Sequence, residues 1–105
     1  MKISVLTVVY NNVEFIEEAI QSVLNQTHTD LEYIVVDGGS TDGTLDVIKK
    51  YEDRISTIIS EKDNGLYDAM NKAYNMATGD IVGILNSDDL YYSPDCLSEV
   101  ASIFY

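Results

Sequence analysis

Leu31-Glu32-Tyr33-Ile34-Val35-Val36-Asp37 runs directly into Gly38-Gly39-Ser40-Thr41-Asp42-Gly43. After Glu32 the first stretch is apolar and rich in β-branched residues, with no polar alternation. This is the pattern of a strand covered on both faces in a parallel sheet. Asp37 ends the run. The glycines, hydroxyls and carboxylate that follow make a tight turn, and Leu45, Ile48 and Tyr51 then recur at helical spacing.

The same strand-turn-helix order extends in both directions. Upstream, Ile3 to Tyr10 reads as a first strand. Asn11-Asn12 offers a helix cap, and Ile16, Ala19, Ile20, Val23 and Leu24 form an inward stripe with Glu17, Glu18 and Gln21 facing away. Downstream, Ile55 to Ser60 gives a third strand, diluted by Ser56 and Thr57, with Glu61-Lys62-Asp63-Asn64-Gly65 as its loop. A third helix follows with the stripe Leu66, Ala69, Met70, Ala73, Tyr74 and Ala77, and Gly79 is placed to stop it in a left-handed turn. Ile81 to Leu85 is a fourth strand. Ser93-Pro94 then reads as a cap with proline at the first helical position, before a last helix packed through Leu97, Val100, Ala101 and Phe104.

Four strands alternating with helices imply right-handed crossovers and an α/β three-layer sandwich around a mainly parallel, Rossmann-like sheet. The expected strand order is 3-2-1-4, with helices leaving strands one and four in opposite directions to open a crevice above their carboxyl ends. Tyr10, Asp37 and the pair Asp88-Asp89 would all border it.

The 105 residues, 46% hydrophobic, suffice for one domain spanning residues 1–105 but are short for a complete enzyme. Eighteen acidic against six basic side chains give a net charge of -12, which repels a phosphate backbone and leaves no basic stripe for nucleic acid. Cys96 is the lone cysteine, so no intrachain disulfide can form, and a reducing, cytoplasmic setting fits. No apolar run is long enough to span a membrane, the N-terminus lacks a signal-peptide pattern, and no linker or repeat marks a boundary.

The chemistry concentrates at strand ends. Asn86-Ser87-Asp88-Asp89 sets two adjacent carboxylates where the fourth strand emerges, and such a pair is costly unless a proton or cation lies between them. Oxygen ligands without Cys or clustered His point to Mg²⁺ or Mn²⁺, with substrate phosphates and water completing the coordination. Asp37 has two readings: cap of the glycine turn, or acceptor of the ring N–H of uracil. Tyr10 either closes the core or stacks on a nucleobase. Asp68 is placed to bond a ribose hydroxyl or the donor sugar, whereas Asp63 reads as a helix-dipole partner. The glycine turn is no phosphate cradle, since it lacks both the P-loop ending and the dinucleotide spacing, and Asp42 would repel phosphate. His28 has no second ligand at metal spacing, and no Ser-His-Asp or Cys-His nucleophile can be assembled.

Taken in order, Val8-Val9-Tyr10-Asn11-Asn12, Val36 to Thr44, Asp63 to Ala73, Ala77-Thr78-Gly79-Asp80 and Asn86-Ser87-Asp88-Asp89 resemble the segments of the family 2 glycosyltransferases, whose nucleotide-binding half has the GT-A fold. The resemblance runs essentially end to end. It implies inverting transfer of a sugar from a nucleotide-sugar donor, UDP-linked by preference, to a glycan or lipid-linked acceptor. Asp37 would contact uracil, and Asp88 and Asp89 would hold the metal in place of the DxD element. Two departures stand out: Asn86 replaces the first Asp of the commonest version, and no proline precedes the Tyr10 segment. In that family the general base and most of the acceptor pocket lie beyond the position of Tyr105, so the catalytic base stays unknown. The chain is expected to be a truncated donor-binding half with little transfer activity alone, and uncovered surfaces make a homodimer a second expectation. If full-length, the protein would work in the cytoplasm or at the inner face of the membrane.

Two rivals belong to other classes. A phosphoacceptor receiver domain has similar length and strand-end Asp residues, but its acidic pair follows the first strand, where this chain has Tyr10-Asn11-Asn12. A non-catalytic regulatory module that binds a nucleotide stays open, because a donor half without its acceptor half would be one.

Overall fold

Parallel strands need a helical crossover between neighbours, and those helices cover the sheet. The computed structural model describes residues 2–62, 66–87, 91 and 94–103, with 66–69 described as helix backbone alone. The strands β1 (Ile3–Val9), β2 (Leu31–Asp37), β3 (Thr57–Ser60) and β4 (Ile81–Ile84) form one sheet in the order β3-β2-β1-β4. Every pairing is parallel. The expected order is the observed one.

Alternation along β1 and β2 divides the core between two faces. Ile3, Val5 and Val9, with Tyr33 and Val35, pack against Ile16, Ala19, Ile20 and Val23 of α1 (Ile16–Leu24), Ile48 of α2 (Thr44–Lys49), and Leu97 and Ala101 of α4 (Cys96–Ile103). On the other face Leu6, Ile34 and Val36 meet Ala73 of α3 (Leu66–Met76). Each such aliphatic side chain contributes about 1.5–3 kcal/mol on burial. Tyr33 is buried with them; its hydroxyl pairs with Thr7 Oγ1 at 2.8 Å, and burial pushes its pKa up.

α1 and α4 thus share a face, which corrects the expectation that helices leave strands one and four in opposite directions. The chain after β4 is drawn to the α1 side, where Tyr91 N–H donates to Ser22 Oγ at 3.2 Å and Leu97 N–H donates to the buried Gln26 side chain at 2.9 Å. α3 makes the change of sides: it crosses behind the sheet and sets β4 beside β1.

Several local expectations also shift. β1 stops at Val9, β3 begins at Thr57, and β4 ends at Ile84. Pro94 sits in the turn before α4 rather than inside it, while Ser93 and Phe104 lie outside the described residues. Tyr74, expected in the buried stripe of α3, is 63% exposed. With about 100° between successive helix positions, Ala73 takes the inward place and Tyr74 is turned away. Of the same stripe, the side chains of Leu66 and Ala69 lie outside the described set.

Gly79 does not adopt a left-handed turn. It is required by proximity: a Cβ there would lie 2.6 Å from Ser4 Oγ and 2.7 Å from Ser4 N, and its own N–H donates to Ser4 Oγ at 2.8 Å. Glu32 closes the same end of the sheet by accepting from Ser4 Oγ at 2.7 Å and Thr78 N–H at 2.8 Å, with Lys2 Nζ 3.8 Å away. Burial pushes the Glu32 carboxyl up, but the hydrogen bonds from Thr78 and Ser4 and the Lys2 charge outweigh it and hold the group below the ordinary carboxylate value. Among the described residues no helix is long and apolar enough to cross a membrane.

Candidate functional site

Parallel strands bring their carboxyl ends to one edge, and the loops that leave this edge carry the candidate residues. Val9, Asp37 and Ser60 stand in register across β1, β2 and β3. Gly38 N–H donates to Val9 O at 2.9 Å, which sets Tyr10 beside the start of the glycine turn. Tyr10 is 63% exposed, so it does not close the core and presents a ring to solvent.

Asp37 is wholly buried. Its Oδ1 accepts the Ser40 hydroxyl, and its Oδ2 accepts Ser40 N–H at 3.2 Å and the Ser60 hydroxyl at 2.8 Å. Three donors against about four lone-pair sites leave the carboxylate nearly saturated. The turn-capping role is therefore present in the structure.

The loop after β1 is stitched to the loop after β2. Asn11 N–H donates to Ser40 Oγ at 2.8 Å, Asn11 Oδ1 accepts Thr41 N–H at 2.7 Å, Asn12 N–H donates to Thr44 Oγ1 at 3.1 Å, and Val13 N–H donates to Asp42 Oδ2 at 3.2 Å. Asn11 takes a left-handed φ of 48°, which Asn tolerates better than most residues. Gly43, at φ 97°, makes the corresponding bend into α2. The Thr44 hydroxyl holds Asp42 below the ordinary carboxylate value; burial opposes it, and the Val13 and Thr44 N–H groups add to the lowering. Asn11-Asn12 was expected to cap α1, but that helix starts at Ile16 without a side-chain cap. Both asparagines cross-link loops instead.

A third loop joins through Asn12. Its Nδ2 donates to Ser87 Oγ at 2.9 Å, just beyond Leu85, whose N–H donates to Leu6 O at 2.9 Å. The structure thus brings Tyr10, Asp37 and Ser87 to one edge. Asp88 and Asp89, which follow Ser87 in sequence, lie outside the described residues, as do Asp63-Asn64-Gly65 and the side chain of Asp68. Among the described residues no group of three or more His, Cys, Asp and Glu could hold a metal ion. Cys96 is buried against the core, as packing alone requires, and His28 is half-buried in the turn after α1.

Ser40, Ser60, Asn12 and Ser87 are the polar residues that sequence reasoning did not assign to the site. Ser60 carried a signal, being the strand-end hydroxyl in the position equivalent to Asp37. Ser87 carried a weaker one as the residue before the acidic pair.

The open parallel sheet of order 3-2-1-4 matches that of solved glycosyltransferases with the GT-A fold. The chain belongs to glycosyl transferase family 2, whose sequence model matches residues 4–105. An uncharacterized glycosyltransferase of Nostoc is 39% identical over 108 residues, covering 99% of this chain and 33% of the relative. The crystal structure of S. aureus TarS 1-349 in complex with UDP-GlcNAc superposes with a TM-score of 0.90 at 30% identity, covering 99% of this chain and 31% of that one. The mannosyltransferase PcManGT of Pyrobaculum calidifontis, in complex with GDP-Man and Mn²⁺, gives 0.87 at 30% identity, with 95% of this chain and 31% of that one covered. The chain spans about a third of the length of these relatives.

Proposed function

We propose that this chain is the donor-binding half of an inverting glycosyltransferase that moves a sugar from a UDP-linked donor to a glycan or lipid-linked acceptor. One observation carries the reading: in a member of this family, the loops after β1, β2 and β4 are tied together at a single edge of the sheet. The relative captured with UDP-GlcNAc supports the choice of a uridine donor.

In this reading the exposed Tyr10 ring stacks on the base. Asp37 accepts the pyrimidine N–H as the Ser60 hydroxyl swings aside, and it discriminates against cytosine, whose corresponding ring nitrogen offers no proton. Asp68 bonds the ribose or the donor sugar. Asp88 and Asp89 would hold Mg²⁺ or Mn²⁺: a hard ion takes oxygen ligands, and the β4 loop leaves at Ser87 beside the nucleotide loops. When bound, the ion supplies neutralising charge for the departing diphosphate. In this reading the 105 residues contribute donor binding and orientation, and no described residue is assigned as the base that deprotonates the acceptor.

Calorimetry tests the assignment. UDP, GDP and CDP are titrated with and without Mn²⁺, using the chain itself and its Asp37→Ala and Asp89→Ala variants. UDP should bind best and only well with the ion, Asp37→Ala should lose the preference for uracil, and Asp89→Ala should lose the dependence on Mn²⁺. Indifference to the ion in the unmodified chain, or equal affinity for all three nucleotides, overturns the proposal.

A further inference from the structure

Two serines satisfy the buried Asp37 carboxylate, and they are held very differently. Ser40 belongs to the same turn and is fixed on every side: its N–H donates to Asp37 Oδ2 at 3.2 Å, its hydroxyl donates to Oδ1, and its Oγ accepts Asn11 N–H at 2.8 Å. Ser60 reaches Oδ2 from the neighbouring strand at 2.8 Å. It is exposed, and among the described residues its hydroxyl bonds Asp37 alone. That bond can open without any backbone movement. Ser60 stands in register with Asp37, and the next N–H, of Glu61, donates to Asp37 O at 3.0 Å. β3 therefore stays paired to β2 while rotation about one side-chain torsion carries the hydroxyl to another staggered position.

We infer that Ser60 determines affinity and specificity for the nucleobase: its hydroxyl occupies on Asp37 the place that a ligand N–H takes, so base binding exchanges one hydrogen bond for another. This rests on the donor-site reading above. A buried carboxylate left short of a donor is costly, and Ser60 meets that cost while the site is empty. A base then gains only the difference between its own N–H and the hydroxyl that it displaces. A ring N–H facing the carboxylate completes the exchange. An unprotonated ring nitrogen, as in cytosine, cannot replace the donor, so Ser60 stays on Asp37 and the base gains nothing there. Removing the hydroxyl should therefore strengthen binding of uracil and leave cytosine where it was, an effect that a merely structural serine would not produce.

The test compares the chain with Ser60→Ala, Ser60→Cys, Asp37→Ala and the double variant Asp37→Ala with Ser60→Ala. UDP and CDP are titrated by calorimetry in the presence of Mn²⁺, where the ion acts alike on the two diphosphates and drops out of their ratio. Circular dichroism on heating checks that each variant folds. Ser60→Ala should raise UDP affinity about tenfold, the low end for a hydrogen bond to a charged group, because water entering the vacated place returns part of the difference. CDP affinity should not rise. Ser60→Cys, with its weaker S–H donor, should shift UDP in the same direction by less, and it carries the test if the alanine variant does not fold. In the Asp37→Ala background the change at Ser60 should do nothing. An unchanged or weakened UDP affinity in the Ser60 variants would overturn the inference and leave the donor-site reading standing. So would an equal gain for UDP and CDP, or a gain that persists without Asp37. No preference for UDP over CDP in the unmodified chain would sink both.

Discussion

Gly79→Ala puts the packing at the amino end of the sheet to a test in which even the sign is informative. Outside the left-handed region, replacing glycine by alanine ordinarily stabilises a protein by about 0.4–1 kcal/mol, because the unfolded chain has less freedom to lose. Here the new methyl would stand 2.6 Å from Ser4 Oγ, 2.7 Å from Ser4 N and 3.0 Å from Lys2 O. Two of these three are backbone atoms of the segment that forms β1, which is held between β2 and β4 and cannot retreat. Overpacking of this kind costs about 1–3 kcal/mol. Displacing residue 79 also strains its 2.8 Å bond to Ser4 Oγ, for about another 1 kcal/mol. The net expectation is a loss of roughly 1.5–3.5 kcal/mol, or a fall of roughly 10–20 °C in thermal midpoint. Urea and thermal denaturation followed by circular dichroism measure it. Ser4→Ala in the same chain should not rescue the loss, since the Ser4 N contact persists. An unchanged or raised midpoint for Gly79→Ala, or complete rescue by Ser4→Ala, would refute the steric argument.

The buried Tyr33–Thr7 pair should behave as a unit: Tyr33→Phe strips the Thr7 hydroxyl of that partner and should cost about 1–3 kcal/mol, whereas Thr7→Val added to it should recover much of the loss in urea titrations. Glu32 gives a pH signature. Its folded pKa lies below the unfolded value of 4.5, so its contribution is present above that pH and is lost as pH falls through the folded value. Glu32→Gln should therefore be less stable than the unmodified chain at pH 7, with the gap closing in acid; a gap that stays constant down to pH 3 would contradict the hydrogen-bonded carboxylate.

The alternation of strands with helices and the gathering of polar loops at one edge were legible because they follow from run length, β-branched composition and right-handed crossovers, whereas the order 3-2-1-4 came by analogy with half of a Rossmann-like sheet. Asn11-Asn12 was read as a helix cap for a chemical reason. An amide side chain that can cap a helix can equally bond a neighbouring loop, and the choice depends on Thr41 and Ser87, 30 and 75 residues away from their respective partners. Gly79 misled in the same manner, since a glycine after a helix looks the same whether it bends the chain or lets β1 come close. For Tyr74, helical period alone could not say which edge of the stripe the sheet would reach. At the site, Asp37 and Tyr10 could be found from strand ends and the Ser40 bonds lie within the turn that Asp37 was read to cap, but the Ser60 hydroxyl could be placed on Asp37 only once the register of β2 with β3 was known.

The sheet order also distributes stiffness unevenly across the edge. β1 and β2, seven residues each, lie between paired neighbours, while β3 and β4 have four residues each and one partner among the described strands. Opening free energies are highest where a strand is long and paired on both flanks. Tyr10 and Asp37 are thus mounted on the longer, doubly flanked strands, whereas the turn at Ser87 hangs from a shorter outer strand that its pairing with β1, the Leu85–Leu6 bond and the Asn12 amide brace back to them. A protein built this way keeps one jaw fixed and can retune the other by changes along the outer strand, with little disturbance to its centre.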